Sequence, residues 1–238
     1  MPSDSDRVAG LRARIAVCMF DQYGTIVDMQ GGLVEATTPY LRAKGWAGNP
    51  SSFVTWWRRT HFENSMIDAL LGREHTLYRE IGERSLAFVL ERAGIRYTMA
   101  EVRELVACIE RLRPFPEVPA ALDRLRAKYK LAVLSNGDPD MLEAAKPYHG
   151  IAFDAVISVE VANAFKPHFA TYAEAARIAG VPMDRLLFVA NHAFDCIGAK
   201  SAGMCTAFID RRRRPFGISP HQPDLIVPSM TELADLMA

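Results

Sequence analysis

A carboxylate at the end of an apolar run is the most chemically informative feature of this 238-residue chain. Residues Phe20 to Asp28 read FDQYGTIVD, and Ile15 to Met19 before them have the length and bounded ends of a buried strand. Asp21 therefore lies where a strand gives way to a turn at Gly24. Because ligands bind outside the carboxyl ends of the strands in an α/β sheet, we expect Asp21 to serve as an exposed nucleophile.

Tyr23 occupies the position where a second aspartate would make this segment typical of a phosphate-ester hydrolase. Phosphate-ester hydrolysis uses a side chain that protonates the leaving alcohol and later activates water. A phenol, with a pKa of about 10, performs that task poorly at neutral pH. The pair of Asp21 and Tyr23 therefore disfavours phosphatase chemistry.

Three further turns carry polar residues that a parallel sheet would bring to the same edge as Asp21. They are Ser135 to Gly137, Lys166 with Pro167, and Asn191 to Asp195. Each is a weak signal alone, because strand-terminal carboxylates often cap turns and Ser-Asn-Gly is a common turn sequence. Together, and in this order along the chain, they predict one polar crevice.

The segment from Gly32 to Arg113 has a helical pattern without a convincing strand. Arg58, Phe62 and Met66 recur at i, i+4 spacing within it, so a guanidinium and two apolar side chains share one helical face. Further helices are predicted over Glu74 to Ala93 and over Met99 to Leu112, the second with Thr98 as N-cap and Glu101 three residues on.

The rest of the chain alternates helix and strand in the manner of a parallel sheet. Strands are predicted over Lys130 to Leu134, Ala155 to Ser158, Leu186 to Ala190, Cys205 to Ile209 and Asp224 to Val227. Helices are predicted over Val118 to Tyr129, Met141 to Tyr148, His168 to Ala179, Asp195 to Ala202 and Met230 to Met237. We therefore predict an α/β fold: a Rossmann-like parallel-sheet core of residues 1–30 and 114–238, and an inserted helical cap domain of residues 31–113. The hinge is expected near Gly31/Gly32 and Pro114 to Pro116.

The composition gives no support for a nucleic-acid or membrane partner, although it excludes neither. Lys plus Arg and Asp plus Glu number 28 each, so no net field favours nucleic acid or an anionic membrane. The run Arg211 to Arg214 is interpreted as a solvated surface. The four cysteines contain no zinc-binding spacing, the N-terminus has no apolar leader and no run is long enough to span a membrane, so we expect a cytoplasmic protein with its cysteines in the core.

The arrangement resembles the haloacid dehalogenase superfamily, and within it the L-2-haloacid dehalogenase branch. The similarity covers Ile15 to Met237 and rests on FDQYGTIVD, LSNG, KPHFATY, WWRRTHFENSMIDALLGR and FVANHAFDCIGAKSAGM. It implies a core with a helical cap, a site between them, a 2-haloacid substrate, halide as product, no cofactor or metal, and a homodimer.

The resemblance also implies roles for particular residues. Asp21 would displace halide from C2 of the substrate and form an ester that water then hydrolyses. Lys166 would keep Asp21 ionised, because a nearby ammonium favours the charged form of a carboxylate. Ser135 and Asn136 would donate to the substrate carboxylate. Other implied site residues are Tyr23 and Phe62 in substrate binding, Arg58 and Phe194 with Asn136 at the halide, and Thr25, Tyr172 and Asp195 in orienting Lys166 and the hydrolytic water.

The final motif departs from the branch. Where well-known dehalogenases of the branch carry SSNxWD, this chain carries Ala190 to Asp195 as ANHAFD. His192 therefore stands in place of an asparagine, and the positioning of the hydrolytic water does not carry over. An imidazole at this point would hold or activate water, or would only shape the pocket, and both interpretations remain open.

Three other functions remain open at the level of sequence. The same carboxylate would open a strained ring at an α-carbon, as in azetidine-2-carboxylate hydrolases that resemble this branch. A phosphatase is disfavoured by Tyr23 and by the absence of an aspartate next to Asp195 for Mg²⁺. A catalytically retired protein would use the cleft to bind small carboxylates, which the retention of Asp21, Lys166 and Asp195 together disfavours. The halogen, chain length and enantiomer accepted do not follow from the sequence.

Overall fold

A six-stranded parallel sheet forms the centre of the molecule, as predicted. The structure is a computed structural model of the chain, and it describes residues 4–72 and 75–238. Its strands are β1 (Val17–Phe20), β2 (Lys130–Ser135), β3 (Ala155–Ser158), β4 (Leu186–Ala190), β5 (Cys205–Ile209) and β6 (Leu225–Val227). They lie in the order β3-β2-β1-β4-β5-β6, and each neighbouring pair is parallel.

The two central strands explain why the first apolar run forms a strand. All residues of β1 and of β4 are buried, as expected for strands covered on both faces. Val17 is in register with Lys130 on one side and Leu186 on the other, so β1 lies between β2 and β4. The chain order along the sheet reverses at β1, and the crevice beyond the carboxyl ends of strands at such a reversal is the usual ligand site.

Ten α-helices and three short 3₁₀ turns accompany the sheet within the described residues. The helices are α1 (Asp4–Arg14), α2 (Met29–Ala43), α3 (Pro50–Leu71), α4 (Tyr78–Arg92), α5 (Met99–Val106), α6 (Val118–Arg126), α7 (Pro139–His149), α8 (Phe169–Ala179), α9 (Ala193–Ala202) and α10 (Met230–Met237). Helix α10 packs against α1 and α6, whereas α8 packs against α9. The four helices α2 to α5 all lie between β1 and β2 in the chain.

Local signals in the sequence explain where the inserted helices begin and end. The Asp28 carboxylate caps α2 by accepting a hydrogen bond of 2.8 Å from the Gly31 amide. Gly72 ends α3 with a φ of +61°, a conformation that glycine adopts without a steric cost. The predicted capping box of Thr98 and Glu101 is present at α5, with both reciprocal hydrogen bonds formed.

Several boundaries differ from the sequence predictions. Gly31 and Gly32, expected at a hinge, lie in the first turn of α2. The helix predicted over Met99 to Leu112 is α-helical only to Val106 and continues as a 3₁₀ turn over Ala107–Arg111. The helix predicted from Glu74 begins at Tyr78, and Glu74 itself lies outside the described residues. Helix α1 was not predicted.

The basic run is only partly a solvated surface. Arg212, Arg213 and Arg214 are exposed, as interpreted from the sequence. Arg211 instead forms an ion pair with Glu117, and its guanidinium lies 3.9 Å from the centre of the Phe115 ring. Three of the four free cysteines, Cys18, Cys196 and Cys205, are buried, which agrees with the core role expected for them, whereas Cys108 is only half-buried.

A close approach between α8 and α9 depends on the absence of a side chain at Gly198. A Cβ at this position would lie 2.6 Å from Tyr172 Oη and 2.7 Å from Pro167 Cβ. Real Cβ atoms do not approach other atoms this closely, so any side chain would displace Tyr172. The glycine therefore fixes how deeply Tyr172 reaches toward α9.

We expect Gly198→Ala to lower the free energy of unfolding by about 1–3 kcal/mol, because an added methyl overpacks a filled interior. Urea unfolding monitored by circular dichroism measures the change. Gly10→Ala in α1 is the matched control, because a Cβ there meets nothing within 4 Å and an alanine in a helix stabilises by up to ~1 kcal/mol. Equal stability of the two variants would contradict the close packing.

Candidate active site

Asp21 lies immediately after β1, in the turn at the carboxyl end of the sheet. Its side chain is 8% exposed, and both carboxylate oxygens are held. The Lys166 ammonium donates to Oδ1 at 2.9 Å, and the Thr25 hydroxyl donates to Oδ2 at 2.7 Å. Thr25 Oγ1 in turn accepts a hydrogen bond of 2.9 Å from the Asn191 amide. The carboxylate is thus oriented by Lys166, from the loop before α8, and by Thr25, which is held in turn by the residue that follows β4.

Lys166 is a buried cation with three acceptors. Its side chain is 1% exposed, and Nζ donates to Asp21 Oδ1, to Asp195 Oδ2 at 2.7 Å and to the Leu134 carbonyl at 3.1 Å. All three hydrogens of the ammonium therefore have partners, which a buried charge requires. Lys166 lies in the loop before α8, and the structure brings it together with Asp195, one of the residues that the sequence analysis named to orient it.

Asp195 and Tyr172 support Lys166 from behind. Asp195 lies in the first turn of α9 with its side chain fully buried. The Tyr172 hydroxyl donates to Asp195 Oδ1 at 2.6 Å, while Oδ2 accepts from Lys166. Neither residue lines the cavity described below. Asp195 contacts Lys166 directly, and Tyr172 contacts Asp195.

The surroundings shift the pKa values of the two carboxyl groups, Asp21 and Asp195, in opposite directions. Burial raises the pKa of Asp21, but Lys166 and His192 oppose this so strongly that its pKa lies well below the usual aspartate value. Burial raises the pKa of Asp195, and here Lys166 does not cancel the effect. Burial lowers the pKa of Lys166, but Asp195 and Asp21 outweigh it, and the net pKa is raised. Asp21 is therefore an ionised carboxylate beside a charged ammonium at neutral pH.

His192 approaches the same carboxylate from the loop between β4 and α9. Its Nδ1 lies 3.5 Å from Asp21 Oδ2, and its side chain is 27% exposed. The ring also contacts Phe194, with 5.6 Å between the ring centres. The structure thus brings His192 next to the candidate nucleophile, as the alignment of the final motif predicted.

The turn after β2 contributes one residue to the cavity and one to its support. Asn136 lines the cavity, and its Oδ1 accepts a hydrogen bond of 3.1 Å from the Lys166 amide. The Asn136 amide nitrogen remains available as a donor. Ser135 is fully buried, does not line the cavity, and uses its hydroxyl oxygen to accept from the Gly137 amide at 3.1 Å. Its side chain therefore stabilises the turn.

Helix α3 supplies the cation that faces Asp21. The Arg58 guanidinium donates from Nη1 to Gln30 Oε1 at 2.9 Å, and its buried Nε has no hydrogen-bond partner among the described residues. Burial lowers the pKa of Arg58, and the nearby Arg212 adds to this. Phe62, one turn further along α3, packs against Phe194 with 4.2 Å between ring centres. Helix and sheet loops therefore meet across the cavity.

Tyr23 is a buried wall of the site. Its ring stacks on Tyr78 at a centre distance of 5.6 Å and an interplanar angle of 6°. Its hydroxyl is buried and has no hydrogen-bond partner in the described part of the chain. Burial raises the pKa of Tyr23 well above the usual phenol value, so the residue stays neutral and offers an uncharged surface.

These residues enclose a cavity of about 270 Å³. Eight of the predicted site residues line it: Asp21, Tyr23, Arg58, Phe62, Asn136, Lys166, His192 and Phe194. Thr25, Ser135, Tyr172 and Asp195 lie behind this layer. Sequence reasoning missed Met29, Gln30, Thr55, Arg59, Ser65, Tyr78 and Arg212. Most of these residues belong to the inserted helices; Arg59 and Ser65, for example, lie on α3 with Arg58. For this region the sequence offered only the i, i+4 spacing from Arg58 as a signal.

The described residues contain neither a candidate metal-binding cluster nor a membrane-spanning helix. Within residues 4–72 and 75–238, no three or more His, Cys, Asp or Glu side chains are grouped so that they could hold a metal ion. No helix in the same ranges combines the length and apolar character needed to cross a membrane.

Comparison with known proteins gives consistent results. The sequence profile of the haloacid dehalogenase-like hydrolases matches residues 15–203. An (S)-2-haloacid dehalogenase of Xanthobacter autotrophicus is 34% identical over 199 residues, which cover 83% of this chain and 76% of that protein. The solved L-2-haloacid dehalogenase from Xanthobacter autotrophicus superposes with a TM-score of 0.84 at 32% identity, covering 93% of this chain and 98% of the other. A structure of that enzyme with chloropropionic acid covalently bound has a TM-score of 0.81 at 30% identity, with 93% and 98% coverage.

The family profile spans most of the chain, and the solved enzyme from Xanthobacter autotrophicus superposes over 98% of its own length. The chain therefore belongs to the haloacid dehalogenase-like hydrolases, within the branch of the L-2-haloacid dehalogenases.

Proposed function

We propose that this chain hydrolyses short (S)-2-haloacids to 2-hydroxy acids and halide through an ester on Asp21. The observation that carries the proposal is the placement of an ionised Asp21, held by Lys166 and Thr25, at the floor of a cavity that Arg58 faces. A carboxylate fixed beside a cation is a competent nucleophile for saturated carbon. The names of the relatives, which include (S)-2-haloacid dehalogenases, support the substrate class and enantiomer.

In the first half-reaction, an Asp21 oxygen attacks C2 of the substrate and the carbon–halogen bond breaks. The displacement is in line, so it inverts the configuration at C2. Halides are weak bases and leave without a proton, which is why the neutral phenol of Tyr23 suffices where a phosphatase would place an acid. Water then attacks the Asp21 carbonyl carbon rather than C2, so an (S)-2-haloacid gives the (R)-2-hydroxy acid.

Two groups of donors recognise the substrate. The Asn136 amide nitrogen and the turn amides beside it bind the substrate carboxylate, with Ser135 holding the turn in shape. The Arg58 guanidinium, the Asn136 amide and the edge of the Phe194 ring surround the departing halide. Phe62 and Tyr23 close the apolar walls. Both half-reactions balance in atoms and charge with the chain's own groups, so we propose no cofactor.

The same proposal extends to domain organisation. Residues 31–113 would form a helical cap domain over a core of residues 1–30 and 114–238, because the cavity is lined from both segments. Arg58 and Phe62 would then belong to the cap, and Asp21 and Lys166 to the core. We also propose a cytoplasmic location, since the four cysteines are free thiols, as is usual in a reducing compartment.

The test of the ester mechanism is a single turnover of excess enzyme in ¹⁸O-labelled water. The product hydroxyl should be unlabelled, because its oxygen comes from Asp21, and the label should appear in Asp21. Asp21→Asn should lower freshly measured halide release by at least about 10³-fold. The control is Asp235→Asn, an exposed carboxylate on α10 that should leave activity unchanged. Labelled product in the first turnover would show direct attack by water and overturn the proposal.

Removing the buried ammonium should impair the first half-reaction. In Lys166→Met the largest interaction that opposes the burial of Asp21 is lost and only that of His192 remains, so the pKa of Asp21 should rise. The active form is the carboxylate, and the halide burst at neutral pH should therefore fall by roughly 100-fold and recover as pH increases. Lys146→Met, an exposed lysine on α7, is the control. A variant with a wild-type burst that does not change across the neutral range would contradict this role.

A homodimer is proposed from the free edge of the sheet. Strand β3 lies at that edge, and Val156, Val161 and Ile178 beside it are 37–47% exposed around an open groove. An exposed apolar surface at an unpaired strand is suited to contact with a second copy. Light scattering should give twice the chain mass, and Val161→Lys should shift the protein to monomer. A monomeric wild-type protein at micromolar concentration would contradict the proposal.

A further inference from the structure

We propose that His192 is the general base that frees Asp21 from the ester, taking a proton from the water that attacks the Asp21 carbonyl carbon. The inference rests on the proposed function, and it concerns only the second half-reaction.

The geometry places His192 directly at the reacting group. Its Nδ1 lies 3.5 Å from Asp21 Oδ2. A Cβ at Gly24 would lie 3.0 Å from His192 Cε1 and 3.4 Å from Arg58 Nη2, so both side chains reach over the turn that carries Asp21. A water molecule hydrogen-bonded to the imidazole would therefore be within reach of the Asp21 carbonyl carbon, which is the geometric requirement for a general base.

The other polar groups around Asp21 already have hydrogen-bond partners. Lys166 is a fully paired ammonium, and its raised pKa means that it has no lone pair to accept a proton. The Thr25 hydroxyl donates to Asp21 and accepts from the Asn191 amide. The second carboxylate, Asp195, is the other group near the ester whose chemistry would allow it to activate water.

Asp195 is, however, screened from the cavity. Its side chain is fully buried, Oδ2 accepts from Lys166, and Oδ1 accepts from the Tyr172 hydroxyl at 2.6 Å. Complete burial of the side chain keeps cavity water away from both oxygens. His192 lines the cavity, and 27% of its side chain is exposed. Among the described residues it is therefore the proton acceptor that both lies next to Asp21 and is open to water.

The proton and bond balance is complete. Water loses a proton to the imidazole as its oxygen bonds to the Asp21 carbonyl carbon. The tetrahedral centre then expels the C2 oxygen, which takes the proton from the imidazolium and becomes the hydroxyl of the product. Asp21 is left with one oxygen from water and loses its remaining proton to solvent, because Lys166 holds its pKa below the usual value.

The test is rapid-quench analysis of His192→Asn and His192→Gln with (S)-2-chloropropionate. Both side chains keep hydrogen-bonding groups, but neither accepts a proton from water. We expect one equivalent of chloride per active site at a rate within a few-fold of wild type, followed by turnover slowed ~10²–10⁴-fold. Intact-mass spectrometry should show the protein carrying one substrate-derived group. His221→Asn, which lies in the loop before β6, is the matched control and should turn over as wild type does.

The burst itself shows that a variant is folded and able to attack the substrate. Variants that turn over without accumulating ester would overturn the assignment of His192. Variants whose first-turnover chloride release falls as far as their steady-state rate would place His192 in the first half-reaction and would also overturn it. Failure of the proposed function gives a different result, namely a wild-type protein that neither releases chloride nor forms an ester.

Discussion

The buried ammonium of Lys166 is the interaction on which the remainder of the site depends. An isolated charge in a protein interior is costly, and the cost is offset only by paired charges and complete hydrogen bonding. Lys166 meets that condition with two carboxylates and one carbonyl, drawn from the ends of β1, β2 and α9. The three elements must therefore be held in register for the cation to be tolerated at all. The parallel sheet supplies that register. Gly198 lets α8 bring Tyr172 close enough to donate a hydrogen bond to Asp195, the carboxyl group on the far side of Lys166.

This arrangement also suits a reaction in which Asp21 gives up its charge. In the resting site one ammonium is shared by the carboxyl groups of Asp21 and Asp195. Attack on carbon converts Asp21 into a neutral ester and exports its negative charge as halide. Lys166 then keeps Asp195 as its carboxyl partner. The displacement thus moves charge out of the interior, and the enzyme does not have to stabilise a new buried ion in the intermediate.

The parts of the structure that sequence could predict were those with local causes. Strands β3, β4 and β5 have the predicted bounds, because a short apolar run between turn residues is recognisable without knowledge of its neighbours. The capping box at Thr98 is local for the same reason. The missed features depend on tertiary contact. The contact of Gln30 with Arg58 joins two helices, and the stacking of Tyr23 on Tyr78 joins a sheet turn to α4.

Arg211 and Ser135 show the same limit from the opposite direction. Both residues were assigned from their type and position, one to a solvated run and one to ligand binding. The packing of Arg211 on Phe115 places that side chain in a structural contact, and the Ser135 hydroxyl oxygen accepts a hydrogen bond from the Gly137 amide within its own turn. Charge and polarity along the chain indicate which groups need partners, but the fold determines whether a partner is water, ligand or protein.

Loops of the sheet supply one side of the cavity and helix α3 supplies much of the other, so the two sides can vary separately. The nucleophile, its cation and the residue proposed to activate water all come from loops at the carboxyl end of the sheet, where strand pairing fixes their separation. Much of the wall, including Arg58, Phe62 and Ser65, comes from one helix. Substitutions on that helix alter the volume and polarity offered to the substrate without moving Asp21 relative to Lys166. The sheet therefore fixes the positions of the reacting groups, while the side chains of the covering helix determine which haloacids fit the cavity.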